Sequence, residues 1–212
     1  MSASPPGTIV ILNGAPRSGK SSIVAAVQQS FDGLWMNLGV DVWLRATPER
    51  YRPGIGLRPG GERPALEPLV RQMYAALYES IAVHALRGIN VIADFGHHDG
   101  YSRSLGILPD CARLLAALPV LFVGVRCPVD VIMARRNAGH PDTSVTYETG
   151  TAEAPVPAPV QRFQDAVHVP GIYDLEVDTA VLSPAECAGL IHRRLQDGIP
   201  SPSAFDRLRA LG

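Results

Sequence analysis

Eight consecutive residues, Gly14-Ala15-Pro16-Arg17-Ser18-Gly19-Lys20-Ser21, satisfy the pattern GxxxxGK[ST] at each fixed position. These are the residue types that a polyphosphate needs. Glycines let successive backbone N–H groups turn inward toward phosphate oxygens, where a side chain would block the approach. Lys20 can reach the β- and γ-phosphates, and the hydroxyl of Ser21, with Ser22 beside it, can ligate Mg²⁺. A helix opening at Lys20 would add the partial positive charge of its N-terminus. The expectation is a nucleoside triphosphate, ATP or GTP, bound with Mg²⁺ across Gly14–Ser22. The plainer alternative is a glycine turn that only starts a helix.

Other side chains could complete such chemistry. Asp94 closes the apolar run Ile89–Ala93, where a strand-end carboxylate holds the magnesium ion directly or through water. It could also cap the following turn. Asp41 follows Leu38-Gly39-Val40 near the end of a second short strand. A carboxylate there can take the proton of an acceptor hydroxyl or orient its attack on phosphorus; capping a short helix over Val42–Ala46 is the structural alternative. Arg135 and Arg136 come after Arg126 on a helical pattern. They could close over the transferred group and exclude water, or form a solvated helix face. The catalytic candidates are thus Asp41, Lys20, Arg135 and Arg136, and the metal candidates Ser21 and Asp94.

Alternating strands and helices would have to hold these groups. Thr8–Asn13, Ile89–Ala93 and Val120–Val125 are nearly continuous apolar runs, as strands buried on both faces are. Leu34–Val40 reads as a shorter strand, and Ile172–Val177, less continuous, as an edge strand. Helical periodicity covers Lys20–Phe31, Ala65–Leu86 (stopped by Gly88), Tyr101–Leu118, Val129–Asn137 and Pro184–Leu195. The expected class is α/β: a P-loop NTPase fold of the nucleoside and small-molecule kinase kind. It would have a central parallel sheet of about five strands flanked by helices. One domain would span residues 1–198, with a helical lid at about 128–160 and a tail, 199–212, packed as a loose surface helix. Thr47–Pro64, rich in Pro, Gly and Arg, reads as a long surface loop, and Gly139–Pro159 as a stiff or mobile connection.

Composition narrows the function classes. A length of 212 residues with 46% hydrophobic and 18% charged residues fits one globular domain. A formal net charge of −1 supplies no global field for nucleic acid or an anionic membrane. Cys111, Cys127 and Cys187 are too widely spaced for a CxxC metal site, and their odd number argues for buried thiols in a reducing cytosol. Met1–Gly7 has no basic stretch followed by an apolar run, and no segment is long enough to cross a bilayer. A soluble cytoplasmic protein is expected, with self-association left open. The chain shows no NKxD-like guanine motif and no LSGGQ-type signature, and it is too small and neutral for an obvious helicase core. What remains is a small kinase acting on a hydroxylated acceptor. A metabolic or nucleoside kinase, and a regulatory nucleotide-binding protein without an acceptor, stay open.

At this level of detail the sequence resembles the chloramphenicol 3-O-phosphotransferase family. Ile9–Ser22 is similar to its opening strand and P-loop, Gly39-Val40-Asp41 to its GVD segment, and Val123-Gly124-Val125-Arg126-Cys127 to its VGVRC strand end. His168 and Tyr173-Asp174-Leu175-Glu176-Val177-Asp178-Thr179 resemble its closing strand. The resemblance implies a kinase that inactivates an antibiotic by phosphorylating a hydroxyl, conferring resistance. It makes Asp41 the base, Lys20 a phosphate ligand and Arg135 a lid arginine, and it sets Asp178 and Thr179 on the loop passing the adenine ring, with a structural strand end as the alternative. Gly139 stands where the family keeps a second lid arginine, with Arg136 as the available substitute. The His140–Pro159 segment looks inserted and Thr47–Pro64 matches poorly, so the implied acceptor is a hydroxylated natural product or nucleoside antibiotic as readily as chloramphenicol.

Further residues could line an acceptor site. His97-His98-Asp99 reads as a polar pocket wall or a surface turn. Arg52, Arg58 and Arg63 could meet an anionic group or simply be solvated. Trp35, Trp43 and Tyr51 could stack on a planar acceptor or pack in the core.

Overall fold

In the computed structural model of the chain, residues 5–52, 58–139 and 147–211 are described. Residues 53–57 and 140–146, within the two long loops expected above, lie outside the described residues, as do 1–4 and 212.

β1 (Ile9–Asn13) has every residue buried, because helices cover both its faces. Alternation does the sorting: Ile9 and Ile11 enter one core cluster, Val10 and Leu12 the other. The remaining strands are β2 (Trp35–Asn37), β3 (Asn90–Phe95), β4 (Val120–Arg126) and β5 (Leu175–Asp178). They form one five-stranded sheet in the order β2-β3-β1-β4-β5, with every pairing parallel. The chain leaves β1 to one side and later returns to its other side. The carboxyl end of β1 is therefore a switch point, where open α/β sheets place their ligands.

The α-helices among the described residues are α1 (Lys20–Ser30), α2 (Val40–Ala46), α3 (Glu67–Leu86), α4 (Ile107–Leu114), α5 (Val129–Asn137), α6 (Ala158–Ala166), α7 (Pro184–Gln196) and α8 (Ala204–Arg209). α1 and α7 pack on one face of the sheet, and α3, α4 and α8 on the other. A third cluster joins α5 and α6 to Ala15 through Cys127, Met133 and Phe163. All three cysteines are free and buried. No helix among the described residues is long and apolar enough to cross a membrane.

Several elements differ from the sequence reading. The expected strand Leu34–Val40 stops at Asn37, whose Oδ1 accepts the Gly39 N–H at 2.9 Å, so Asp41 sits in the first turn of α2. The helix expected over Tyr101–Leu118 spans only Ile107–Leu114. Upstream, the Asp99 carboxylate takes the N–H groups of Leu105 and Gly106 and holds the chain in a loop; downstream, Ala117 has a φ of 67°. Part of the expected connection 139–159 is already the start of α6, whose Val160 and Phe163 face inward with Val167 just after its end.

The C-terminal helix is not loose. Ser203 and Asp206 form a capping box, and the Asp174 carboxylate accepts the Ala204 N–H at 2.6 Å. Phe205 meets the Phe122 ring edge-on at 5.1 Å and is 4% exposed. Phe205→Ala should therefore cost about 3–5 kcal/mol in denaturant unfolding. A helix merely resting on the surface would lose no more than about 0.5 kcal/mol.

Candidate active site

The cradle lies at the end of β1. Gly14 has no room for a side chain: a Cβ there would stand 2.5 Å from the Val125 carbonyl oxygen and 2.8 Å from Ser18 Oγ. Gly19, at φ 93°, opens α1 from a left-handed conformation that glycine adopts without strain. Lys20 reaches back across the turn, its Nζ donating to the carbonyls of Gly14 and Ala15 at 2.9 Å each. Burial pushes the Lys20 pKa down, and the charges of Asp94 and Asp41 oppose that shift. Both carboxylates thus act on the same ammonium group.

Ser21 Oγ donates to Asp94 Oδ2 at 2.9 Å, so the two metal candidates meet. Asp94 lies inside β3 rather than just after it, and its other oxygen presses on Gly39. A Cβ at Gly39 would come within 2.0 Å of Asp94 Oδ1, which explains a glycine two residues before Asp41. Asp41 itself is exposed, and Gly39, not Asp41, occupies the N-cap of α2. The structural role of pure helix capping is therefore not the one Asp41 fills.

One cleft of about 580 Å³ takes in Gly14, Pro16, Arg17, Gly19, Lys20, Ser21, Ser22, Asp41, Asp94, Arg135 and Thr179. Ala15 and Ser18 are buried beneath it, and Ser18 Oγ is a buried hydroxyl with no hydrogen-bond partner. At one end, Arg135 donates to Thr179 Oγ1 at 3.1 Å and to the Thr179 carbonyl at 2.6 Å, and Leu182 and Pro184 complete that wall.

Two expected residues stand off the cleft. The Asp178 carboxylate turns away to accept the Ala180 N–H at 2.8 Å. Arg136 is buried, donating from Nε to the Glu148 carbonyl at 2.9 Å with the Tyr147 ring 5.1 Å away. Burial lowers the Arg136 pKa, while the nearby Glu148 charge raises it. Engaged in this way, it does not serve as a second cation over the cleft.

The other end of the cleft is apolar, walled by Val40, Leu44, Tyr74, Phe95 and Phe163, with Arg58 at its edge. Arg58 is paired with Glu148 at 3.2 Å. Phe163 packs its ring tip against Gly96, where a Cβ would be 2.9 Å from its Cζ. The sequence reading does not reach this wall, since its connection ends at Pro159 and it assigns no element to 160–167, although the spacing of Val160, Phe163 and Val167 carries a helical signal. Trp35 is a core residue, Trp43 packs against the core, and Tyr51 is exposed beneath Arg50.

His97 and His98 are buried rather than on a surface turn. His97 Nε2 and Tyr78 Oη are 2.7 Å apart, and the His97 N–H donates to Asn13 Oδ1 at 2.7 Å, fixing the loop after β3 to the end of β1. Burial first, and then the neighbouring His98, pull the His97 pKa down to about 3. The unfolded chain, with an ordinary histidine near 6.5, binds this proton more readily, so stability falls as the pH drops below about 6.5 toward 3. At pH 5 this single group should cost about 2 kcal/mol. Urea unfolding at pH 7 and pH 5 should show that His97→Gln loses correspondingly less than the parent protein; an equal loss would contradict the assignment.

Comparison with known proteins fits this geometry. A family model described as chloramphenicol phosphotransferase-like protein matches residues 7–196. A provisionally named O-phosphotransferase of Mycobacterium tuberculosis, found in two strains, is 29% identical over 223 residues, covering 99% of this chain and 91% of the relative. Among solved structures, a sugar kinase from Janibacter sp. HTCC2649 gives a TM-score of 0.60 at 17% identity, over 93% of this chain and 99% of that one. The Mycobacterium tuberculosis APS kinase, in complex with AMPPNP and APS, gives 0.54 at 18% identity, over 91% and 99%. At such identities the structural likeness establishes the fold, that of the P-loop kinases. The family match runs from the strand before the cradle to the end of α7, and the chain therefore belongs to the chloramphenicol phosphotransferase-like family of phosphotransferases.

Proposed function

We propose that the protein transfers the γ-phosphoryl group of ATP or GTP to a hydroxyl of a small natural product, an antibiotic or a nucleoside-like compound, and so inactivates it. The supporting observation is the two-ended cleft. A phosphate cradle with Arg135 and Thr179, an apolar wall of Val40, Leu44, Tyr74, Phe95 and Phe163, and Asp41 all line one cleft of about 580 Å³. A nucleotide switch without an acceptor has no use for that second compartment.

In this reading the backbone of Gly14–Ser22 and the Lys20 ammonium hold the triphosphate, with Arg135 and Thr179 beside the base-side wall. Ser21 Oγ and Asp94 are hard oxygen donors in contact. Among the described residues, no group of three His, Cys, Asp or Glu side chains could bind a metal alone. A hydroxyl and one carboxylate suit Mg²⁺ that keeps water and phosphate oxygens as its other ligands. When bound, Mg²⁺ would neutralise charge between the β- and γ-phosphates. Asp41 takes the proton of the acceptor hydroxyl as its oxygen bonds to the γ-phosphorus and the bond to the bridging oxygen breaks. The apolar wall keeps water from that position, since water there would turn transfer into hydrolysis.

The test is incubation with γ-labelled ATP or GTP, Mg²⁺ and a panel of hydroxylated antibiotics and nucleosides. A product heavier by one phosphoryl group is the expected result. Nucleotide binding with slow hydrolysis that no hydroxyl compound diverts would overturn the proposal in favour of a regulatory protein.

A further inference from the structure

Arg17 fills one of the unspecified positions of the GxxxxGK[ST] pattern, yet its backbone and side chain are both unusual. Its φ is 71°, a left-handed conformation that glycine adopts freely and arginine does not. A residue held against its backbone preference beside a site points to a use for its side chain. Arg17 Nη2 donates to the carbonyl of Arg135, and to that of Gly139 at 2.7 Å. The first of these is a helix-end acceptor. The Gly139 N–H goes to Arg136 O at 3.0 Å instead, and the Ala138 N–H to Ala134 O at 3.1 Å. The guanidinium therefore caps the negative end of α5.

The contact is reciprocal. Arg135 Nη1 donates to the Arg17 carbonyl at 3.3 Å, and Thr179 Oγ1, which also binds Arg135, donates to the Ser18 carbonyl at 2.7 Å. The Tyr147 ring lies 5.1 Å from the guanidinium carbons of both Arg17 and Arg136, joining them by cation–π contact. Arg17 Nε is buried without a hydrogen-bond partner, so the group is held by Nη2 and by stacking.

We propose that Arg17 is a positioning residue that couples occupancy of the phosphate cradle to the C-terminal end of α5 and to Tyr147, and so sets Arg135 beside the cradle. The inference rests on the triphosphate-binding reading above. Phosphates bound to the backbone N–H groups fix the main chain at Arg17. That aims its guanidinium at the α5 carbonyls, and the interlocked Arg135 follows.

Hydrogen exchange with and without AMPPNP or GMPPNP and Mg²⁺, together with calorimetric binding, tests the coupling in Arg17→Gly and Tyr147→Leu. Glycine suits the backbone at position 17, so Arg17→Gly should fold with an unchanged melting temperature. In the parent protein, nucleotide should slow exchange both in the cradle and at the end of α5. In Arg17→Gly the cradle should still be protected and nucleotide affinity should change less than about threefold. Protection at the end of α5 should be lost, and turnover of the nucleotide should fall by about 10²-fold through misplacement of Arg135. Tyr147→Leu should reproduce the loss at α5 in part. Undiminished protection of α5 in Arg17→Gly would overturn the proposal. So would a large loss of nucleotide affinity in Arg17→Gly that Tyr147→Leu does not share, which would make Arg17 a direct phosphate ligand. Failure of the parent protein to bind either nucleotide would sink the functional reading itself, and the Arg17 assignment with it.

Discussion

Asp41→Asn is expected to lower phosphoryl transfer by about 10²–10⁴-fold while leaving nucleotide affinity within about threefold. The asymmetry follows from where the residue sits. Asp41 is on the first turn of α2, at the cleft but outside the contiguous cradle. Its proximity is electrostatic: it is one of two carboxylates whose charge steadies the Lys20 ammonium. Asparagine keeps the shape and removes the base. The structural cost should be small, about 0.3–1 kcal/mol for a lost negative charge near a helix N-terminus. Turnover with the true acceptor and a calorimetric nucleotide titration separate the two effects. Full phosphorylation by Asp41→Asn would remove the base assignment, whereas loss of nucleotide binding with it would make Asp41 a cradle residue.

The features legible in the sequence are those fixed by short-range rules. The eight-residue cradle is contiguous, its glycines answer a local steric demand, and the buried strands around it are continuous apolar runs. Asp94 and Ser21, 73 residues apart, could be paired because a strand end and a P-loop have a fixed relation in a parallel sheet. What was not legible depended on tertiary partners. Asp99 draws Leu105 and Gly106 into a loop that periodicity alone extended as helix. α8 reads as a weak tail until Phe122 and Asp174 are seen to receive it. Arg136 shares its neighbour's composition and differs only in which way the helix faces it, toward Glu148 and Tyr147 instead of the cleft. The apolar wall came from α2, α3, β3 and α6 together, and no single stretch of sequence carries that combination.

Lys20→Met is expected to abolish measurable transfer, a loss of at least about 10³-fold, without lowering the stability of the free protein. Removing one preorganised charge from a transferring phosphoryl group typically costs about 10²–10³-fold, and Lys20 also serves in binding. Stability should respond in the opposite direction. Burial lowers the Lys20 pKa despite Asp94 and Asp41, so the charged form is held in the folded state less comfortably than in water. A desolvated ammonium ion replaced by an apolar group of similar length relieves that cost. What is forfeited is two hydrogen bonds to the Gly14 and Ala15 carbonyls and the attraction of Asp94 and Asp41, which the cost of burial outweighs. The signature is a melting temperature no lower than the parent's, combined with loss of the nucleotide-dependent increase. That increase in the parent should correspond to about 2.7 kcal/mol at a ligand concentration 100-fold above the dissociation constant. A variant that melts earlier but still gains stability from nucleotide would show Lys20 to be structural, and the cradle would then bind phosphate through its backbone alone.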